Sequence, residues 1–435
     1  MTQLTGEYTV QTFDTATLPE DQISRFAEWC RAVKLGFHDS MPGDDLIAKI
    51  LRNARHDNRV LTGVYQASTP EYGLPLEAPV ATFGTLTKNL NVGRGQEIPA
   101  HLITAVTVRP THRRKGLLTR IMTEDLRRAQ ENGLAIAALN ASEGGIYGRF
   151  GFGVATYERS LTVDVTSRFR LRKAPDGRVE LTDPRNLLEL AEGIFDRFHA
   201  LTPGSLGRAR FYPMLASGFM DEKGEESKDL RAALHYDADG IPDGYVSYRF
   251  KGWNTEPYTM TVVDFVAATP EAHLGLWGFL ASLDLVERIE MESAPVQDPL
   301  EWALEDARCV EAKEPRDMLW LRLLDVKAAL EAKRYPMDGS LVFRVEDPLG
   351  LVTGTYRVVV VGGTATVTEV ADDDVDDATV ELTLGVSELS SVYLGGVPTA
   401  TLAEAGRIEE HVPGAVERLG LFLAPERPVH CHSHF

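Results

Sequence analysis

The segment 103–108, Ile-Thr-Ala-Val-Thr-Val, places Val106 and Val108 on one side with the period of two of a strand. Pro110 ends that ladder, and Arg113-Arg114-Lys115-Gly116 follows where a helix begins. Leu118, Ile121, Met122 and Leu126 then recur at helical spacing, and Gly133 closes the helix. A second strand over 134–139 is apolar enough to be buried on both faces. Beyond it, Ser142 is placed to cap a short helix that holds Tyr147.

The same patterning divides the chain into three regions. Residues 1–155 read as a mixed sheet with helices on both sides. Its strands are expected over 8–13, 59–66, 79–87 and 103–108, and its helices over 19–34 and 44–52. Between the two helices lies a loop of turn formers, 35–43, carrying Phe37 and Asp39; residues 88–99 read as a hairpin or loop. Residues 156–317 open with a strand over 158–165 and a helix over 187–201, followed by a hairpin, 230–237 with 244–251. There the strand 262–268, Thr269-Pro270, a turn over 271–275 and a helix near Leu276 repeat the plan of residues 103–118. Ala272, His273 and Leu274 fill the slots of Arg113, Arg114 and Lys115, so this second copy is expected to have lost its hold on an anion. Residues 318–435 read as a helix over 321–334, strands over 340–345, 354–361, 365–370 and 378–384, and helices near 386–394, 400–405 and 413–422. The acidic run 372–377 reads as a solvated loop.

Length and composition narrow the class. A chain of 435 residues, 43% apolar and 25% charged, fits a globular protein of about three domains. The net charge of −19 without a basic stripe argues against a nucleic-acid partner and suits a cationic substrate. Cys30, Cys309 and Cys431 are too few and too scattered for a disulfide framework or a zinc site, and no metal is expected. With no signal-like start and no apolar run long enough to span a bilayer, a cytoplasmic protein is expected.

The candidate chemistry is anion capture. A helix start offers free N–H groups and the positive end of the dipole; Gly116 admits close approach, and the flanking cations add charge-assisted bonds. By itself, such a turn is more often a solvated basic surface. The order strand, Arg-Arg-Lys-Gly-Leu-Leu, helix, strand, Tyr is more specific, and it resembles the acyl-CoA pyrophosphate loop of the GNAT N-acetyltransferases. Leu118 stands where most of that superfamily has a small residue. The longer string from Val106 through Pro110-Thr111-His112 to Leu118, with Ala141-Ser142-Glu143-Gly144-Gly145-Ile146-Tyr147-Gly148-Arg149-Phe150-Gly151, is similar to the Eis branch, where Leu is normal.

The resemblance implies an α/β (α+β) architecture of two GNAT-like mixed-sheet domains, the second degenerate, and a sterol-carrier-protein-like domain at the end. It implies acetyl-CoA as co-substrate, contacted by Val106, Thr107, Val108, Arg113, Arg114, Lys115, Gly116, Leu117, Leu118, Thr119, Ser142 and Glu143. Tyr147 would be the general acid and the terminal carboxylate of Phe435 the general base, while Phe37 and Asp39 would bound the amine pocket. Small cationic amines, aminoglycosides first, are the implied substrates, and a homo-hexamer the implied assembly. Two other readings stay open: an acetyltransferase for protein lysines, and a non-enzymatic CoA- or lipid-binding protein. The histidines His430, His432 and His434 stand where an acid near the end would help hold a cation.

Overall fold

The computed structural model describes residues 2–4, 7–221, 223–371 and 379–435, with side chains from residue 7 onward; the acidic run 372–377 lies outside them. The chain forms three mixed sheets. In the first region, β1 (Thr2–Leu4), β2 (Tyr8–Asp14), β3 (Val60–Gln66), β4 (Ala81–Gly93) and β5 (Gln96–Val108) pair antiparallel in sequence order. The strand β6 (Ile136–Leu139) joins β5 in parallel, and β7 (Gly153–Val154) is short. Residues 88–99 lengthen β4 and β5 to 13 residues each and form their hairpin. The helices are α1 (Ile23–Gly36), α2 (Asp44–His56), α3 (Leu117–Glu131) and α4 (Gly144–Tyr147). The apolar face of α3, with Leu117, Ile121, Met122 and Leu126, is buried with Phe83, Ile103 and Leu139 of the sheet.

The second sheet contains β8 (Tyr157–Asp164), β9 (Arg178–Thr182), β10 (Arg231–Tyr236), β11 (Pro242–Phe250), β12 (Thr259–Ala267), β13 (Arg288–Pro295), β14 (Val310–Ala312) and β15 (Arg316–Asp317). Around it lie α5 (Leu187–Leu201), α6 (Phe211–Ala216), α7 (Pro270–Ala281) and α8 (Leu300–Ala303). The expected turn at 271–275 is absent. Thr269 caps α7 through Oγ1 to Ala272 N (3.1 Å), and Pro270 takes the first helical position, where its missing N–H costs nothing. The basic turn of residues 109–116 therefore has no counterpart here. Asp243 also accepts the Thr269 hydroxyl at 2.6 Å, placing a carboxylate beside this helix start, where it repels an anion.

A second correction concerns the helix expected over 321–334. Trp320–Leu323 is a strand, β16, and only α9 (Val326–Glu331) is helical. This strand lies between β6 and β7, antiparallel to both, and so completes the first sheet from far along the chain. All four of its residues are buried, Arg322 included, which pairs with Asp347 at 2.9 Å. The third sheet follows: β17 (Gly339–Glu346), β18 (Gly354–Val361), β19 (Thr364–Val370), β20 (Leu382–Gly385) and β21 (Ile408–Glu410). Its helices are α10 (Val386–Val392), α11 (Thr399–Glu404) and α12 (Ala415–Phe422).

The joint between the first and third regions explains one glycine of the Gly-Arg-Phe-Gly-Phe-Gly run. A Cβ on Gly153 would lie 1.9 Å from the Ser387 carbonyl oxygen and 2.3 Å from Ser391 Oγ, so α10 packs directly on the backbone of β7. Gly153→Ala is expected to destabilise the protein by about 1–3 kcal/mol, the cost of overpacking a close contact. Urea unfolding reads this directly, and an unchanged midpoint would contradict the packing.

Candidate active site

The site arises where two neighbouring strands part. β5 and β6 pair only from Ala100↔Ile136 to Ile103↔Leu139. Beyond Ile103, β5 carries one extra residue against β4, because Thr82 pairs with Thr107 and Gly84 with Thr104. Ala105 sits in that bulge at φ 51°, and Thr82 braces it by donating to the Ala105 carbonyl at 2.8 Å. β6 meanwhile ends at Leu139 and gives way to the loop before α4. The strands open a cleft of about 680 Å³ whose wall includes Val106, Thr107 and Val108. This part of β5 has no β6 partner, so backbone N–H groups there are available to an incoming ligand.

The basic turn forms one end of the cleft. Arg113, Arg114, Gly116, Leu117, Leu118 and Thr119 all line it. Gly116 is the N-cap of α3 at φ 75°, and a Cβ there would meet nothing within 4 Å. Glycine is therefore required by the left-handed backbone and not by crowding. No side chain caps α3, so its first N–H groups are free for an anion. Two exposed guanidinium groups, an uncapped helix start and a bare glycine fit the pyrophosphate of a CoA. Lys115 stands apart. Its ammonium donates to the Tyr8 hydroxyl at 2.8 Å and lies over that ring, outside the cleft lining.

Ser142, Glu143 and Tyr147 line the same cleft. Ser142 does not cap α4: the N-cap position is Glu143, and no side chain makes a capping bond. Tyr147 ends this single-turn helix with its ring buried edge-on to Phe152. Burial, and secondarily the charge of Glu143, pushes the Tyr147 phenol above its ordinary pKa, so it holds its proton at neutral pH. Phe37, half-exposed, reaches the cleft from the end of α1. Asp39 does not line it and is engaged by Lys34 at 2.9 Å.

The chain end reaches the same neighbourhood by another route. Phe435 donates its backbone N–H to Asn140 Oδ1 at 3.0 Å, immediately after β6, although it does not line the cleft. The three tail histidines have separate tasks. His430 is buried and pushed down to about 3 by burial and then by His432, so it is neutral. His432 meets Asp264 at 3.2 Å and His434 meets Glu158 at 3.4 Å. Among the described residues, no group of three or more His, Cys, Asp or Glu is placed to hold a metal ion.

Sequence reasoning passed over four residues here. His38, His112 and Arg149 line the cleft, and Asn140 holds the chain end. His112 and Arg149 lie inside the two motifs, so position was a usable signal for them. Asn140 had none, because its partner is 295 residues away.

The comparisons with known proteins cover nearly all of the chain. GNAT acetyltransferase family models match residues 22–155 and 211–323, and a sterol carrier protein domain model matches 326–432. An uncharacterized N-acetyltransferase of Streptomyces griseus is 34% identical over 418 residues, covering 93% of this chain and 96% of its own. The N-acetyltransferase Eis of Mycobacterium tuberculosis is 35% identical over 348 residues, 78% of this chain and 81% of its own. The crystal structure of Eis1 from Mycobacterium abscessus superposes with a TM-score of 0.77 at 26% identity, covering 98% of this chain and 100% of that one.

Proposed function

The chain belongs to the Eis family of GNAT N-acetyltransferases, and from that premise we propose that it acetylates primary amines of small polycationic substrates, aminoglycosides first. One observation carries the reading: Tyr147, Arg113, Arg114 and Gly116 line a single cleft, which puts a proton donor and an anion cradle at one ligand. In this account Arg113, Arg114 and the start of α3 hold the pyrophosphate of acetyl-CoA, and β5 beyond Ile103 pairs with its pantetheine arm. When bound, the co-substrate supplies an activated thioester. A backbone N–H on Val106–Val108 then stabilises the oxyanion, a role worth roughly 3 kcal/mol. Tyr147 gives its proton to the departing sulfur.

The attacking amine must lose a proton. The Phe435 carboxylate is assigned that task, and with a pKa near about 3.5 it acts through a water or by electrostatic support. Phe37 forms an aromatic wall for an ammonium, and Asp39 acts more weakly while it is paired with Lys34. Transfer is direct. The free cysteines are buried, and burial pushes the Cys431 thiol, the one nearest the chain end, up to about 12, where it is no nucleophile.

Thiol release from acetyl-CoA tests the reading. Release with kanamycin or neomycin but not with a lysine peptide supports it. Release only with a protein or lysine peptide replaces it by a protein acetyltransferase. CoA binding without turnover of any amine removes the enzyme reading.

A further inference from the structure

Chain ends usually fray, because ordering a residue costs about 1–2 kcal/mol of backbone entropy. This one does not. Each of the last four residues makes a specific hydrogen bond or ion pair to a part of the fold distant in sequence. His432 Nε2 meets Asp264, Ser433 Oγ donates to the Leu206 carbonyl at 2.9 Å, His434 N–H donates to the Tyr212 hydroxyl at 2.5 Å, and Phe435 N–H donates to Asn140. The Tyr212 hydroxyl also donates to the His434 carbonyl at 3.2 Å, so one phenol grips both backbone groups of the penultimate residue.

Tyr212 and Asn140 are themselves held by further contacts. The Tyr212 ring is buried beneath the Arg208 guanidinium at 4.2 Å, and Arg208 is itself locked in a two-toothed pair with Asp264 at 2.7 and 2.8 Å. Asn140 donates its amide to the Met318 carbonyl at 2.9 Å, which turns its oxygen toward the chain end. Asn140 also begins the connection that leads from β6 to Tyr147. The terminal carboxylate carbon is two bonds from the nitrogen that Asn140 holds.

We propose that Tyr212 and Asn140 are positioning residues that fix Phe435 in register beside the connection carrying Tyr147, Tyr212 from the base of the second sheet and Asn140 from the end of β6 in the first. For its catalytic consequence, this rests on the assignment of the Phe435 carboxylate given above. Neither residue lies in the motifs that mark the site. The arrangement gives the second region a task that needs no ligand of its own: it holds the chain end against the first sheet.

The test begins with a readout that does not depend on chemistry, the release of Phe435 from the full-length protein by a carboxypeptidase. Tyr212→Phe, which keeps the ring under Arg208 but removes both hydroxyl bonds to His434, and Asn140→Ala are each expected to speed release at least about tenfold, the effect of losing one or two hydrogen bonds. Tyr212→Phe should lower kcat by a similar factor and leave the KM for acetyl-CoA unchanged. In a chain with one glycine added after Phe435, the same substitution should change kcat no further, because the carboxylate has already moved. Unaltered release in both variants overturns the proposal, as does an equal fall in kcat with and without the added glycine. Faster release with unchanged kcat upholds the positioning and removes the carboxylate from the mechanism.

Discussion

Turnover falls by about 10²–10⁴-fold when Tyr147 is replaced by Phe, the range that a positioned general acid contributes. The substitution is a narrow one. Phenylalanine keeps the ring edge-on to Phe152 and within the cluster that contains Phe150 and Leu139, so the walls of the cleft stay in place. What leaves is one O–H, and with it the proton for the departing thiolate. Affinity for acetyl-CoA is expected to hold, because the groups proposed to hold its pyrophosphate, Arg113, Arg114 and the start of α3, are left unchanged. The pH profile carries an independent sign. Burial first, and Glu143 second, raise the phenol pKa, so the acid stays protonated beyond the ordinary tyrosine range. Loss of this proton should therefore depress wild-type kcat only above about pH 10. Steady-state kinetics at saturating acetyl-CoA check both points. An unchanged kcat assigns the proton to another donor, and a raised KM with kcat preserved makes Tyr147 a binding group.

The double substitution Arg113→Ala with Arg114→Ala gives the opposite kinetic signature. Each guanidinium is free to make a charge-assisted hydrogen bond, worth about 1.5–3 kcal/mol, so kcat/KM for acetyl-CoA should fall by roughly 10²–10⁴-fold for the pair. Most of this loss should appear in KM, since the pyrophosphate is bound equally before and during transfer. Lys115→Ala is the internal comparison. Its ammonium is committed to Tyr8 and is not part of the cleft lining, so its effect should be clearly the smaller of the two. If Lys115→Ala costs as much as the arginine pair, the three cations act together, and the geometry of this turn is misread. Added salt should also weaken acetyl-CoA binding by the wild type more than by the double variant, because screening acts on the charges that the variant lacks.

The strand–turn–helix–strand order around Arg113 was legible because each part has a local cause: alternation in 103–108, a glycine at the helix start, and apolar residues at helical spacing in α3. Tyr147 could be placed in the cleft for the same reason, since only a short loop separates it from β6. What stayed hidden depends on contacts between distant segments. The buried strand Trp320–Leu323 has no alternation to show, and a buried Arg322 in its middle imitates the polar face of a helix. Its neighbours β6 and β7 are more than 160 residues upstream, so nothing local announces the pairing. Thr269-Pro270 did carry a local signal for the start of α7, a capping threonine before a proline at the first helical position, but the comparison with residues 103–118 drew it into a turn. Lys115 was read with its neighbours because charge is visible in a sequence, whereas direction is not; the ring of Tyr8 that attracts it is 107 residues away. The engagements of His432 and His434 are hidden in the sequence for the same reason. Their partners, Asp264 and Glu158, belong to another sheet.

The central claim is that the cleft between β5 and β6 carries acetyl groups from a thioester to free amines. Mass spectrometry of neomycin or kanamycin after incubation with acetyl-CoA and the full-length protein tests it most directly. The account predicts products heavier by whole acetyl groups, with one CoA thiol released for each group gained and with both signals appearing about 10²–10⁴-fold more slowly in Tyr147→Phe. Unmodified aminoglycosides and unmodified simple diamines, from a protein that calorimetry shows to bind acetyl-CoA, would contradict it.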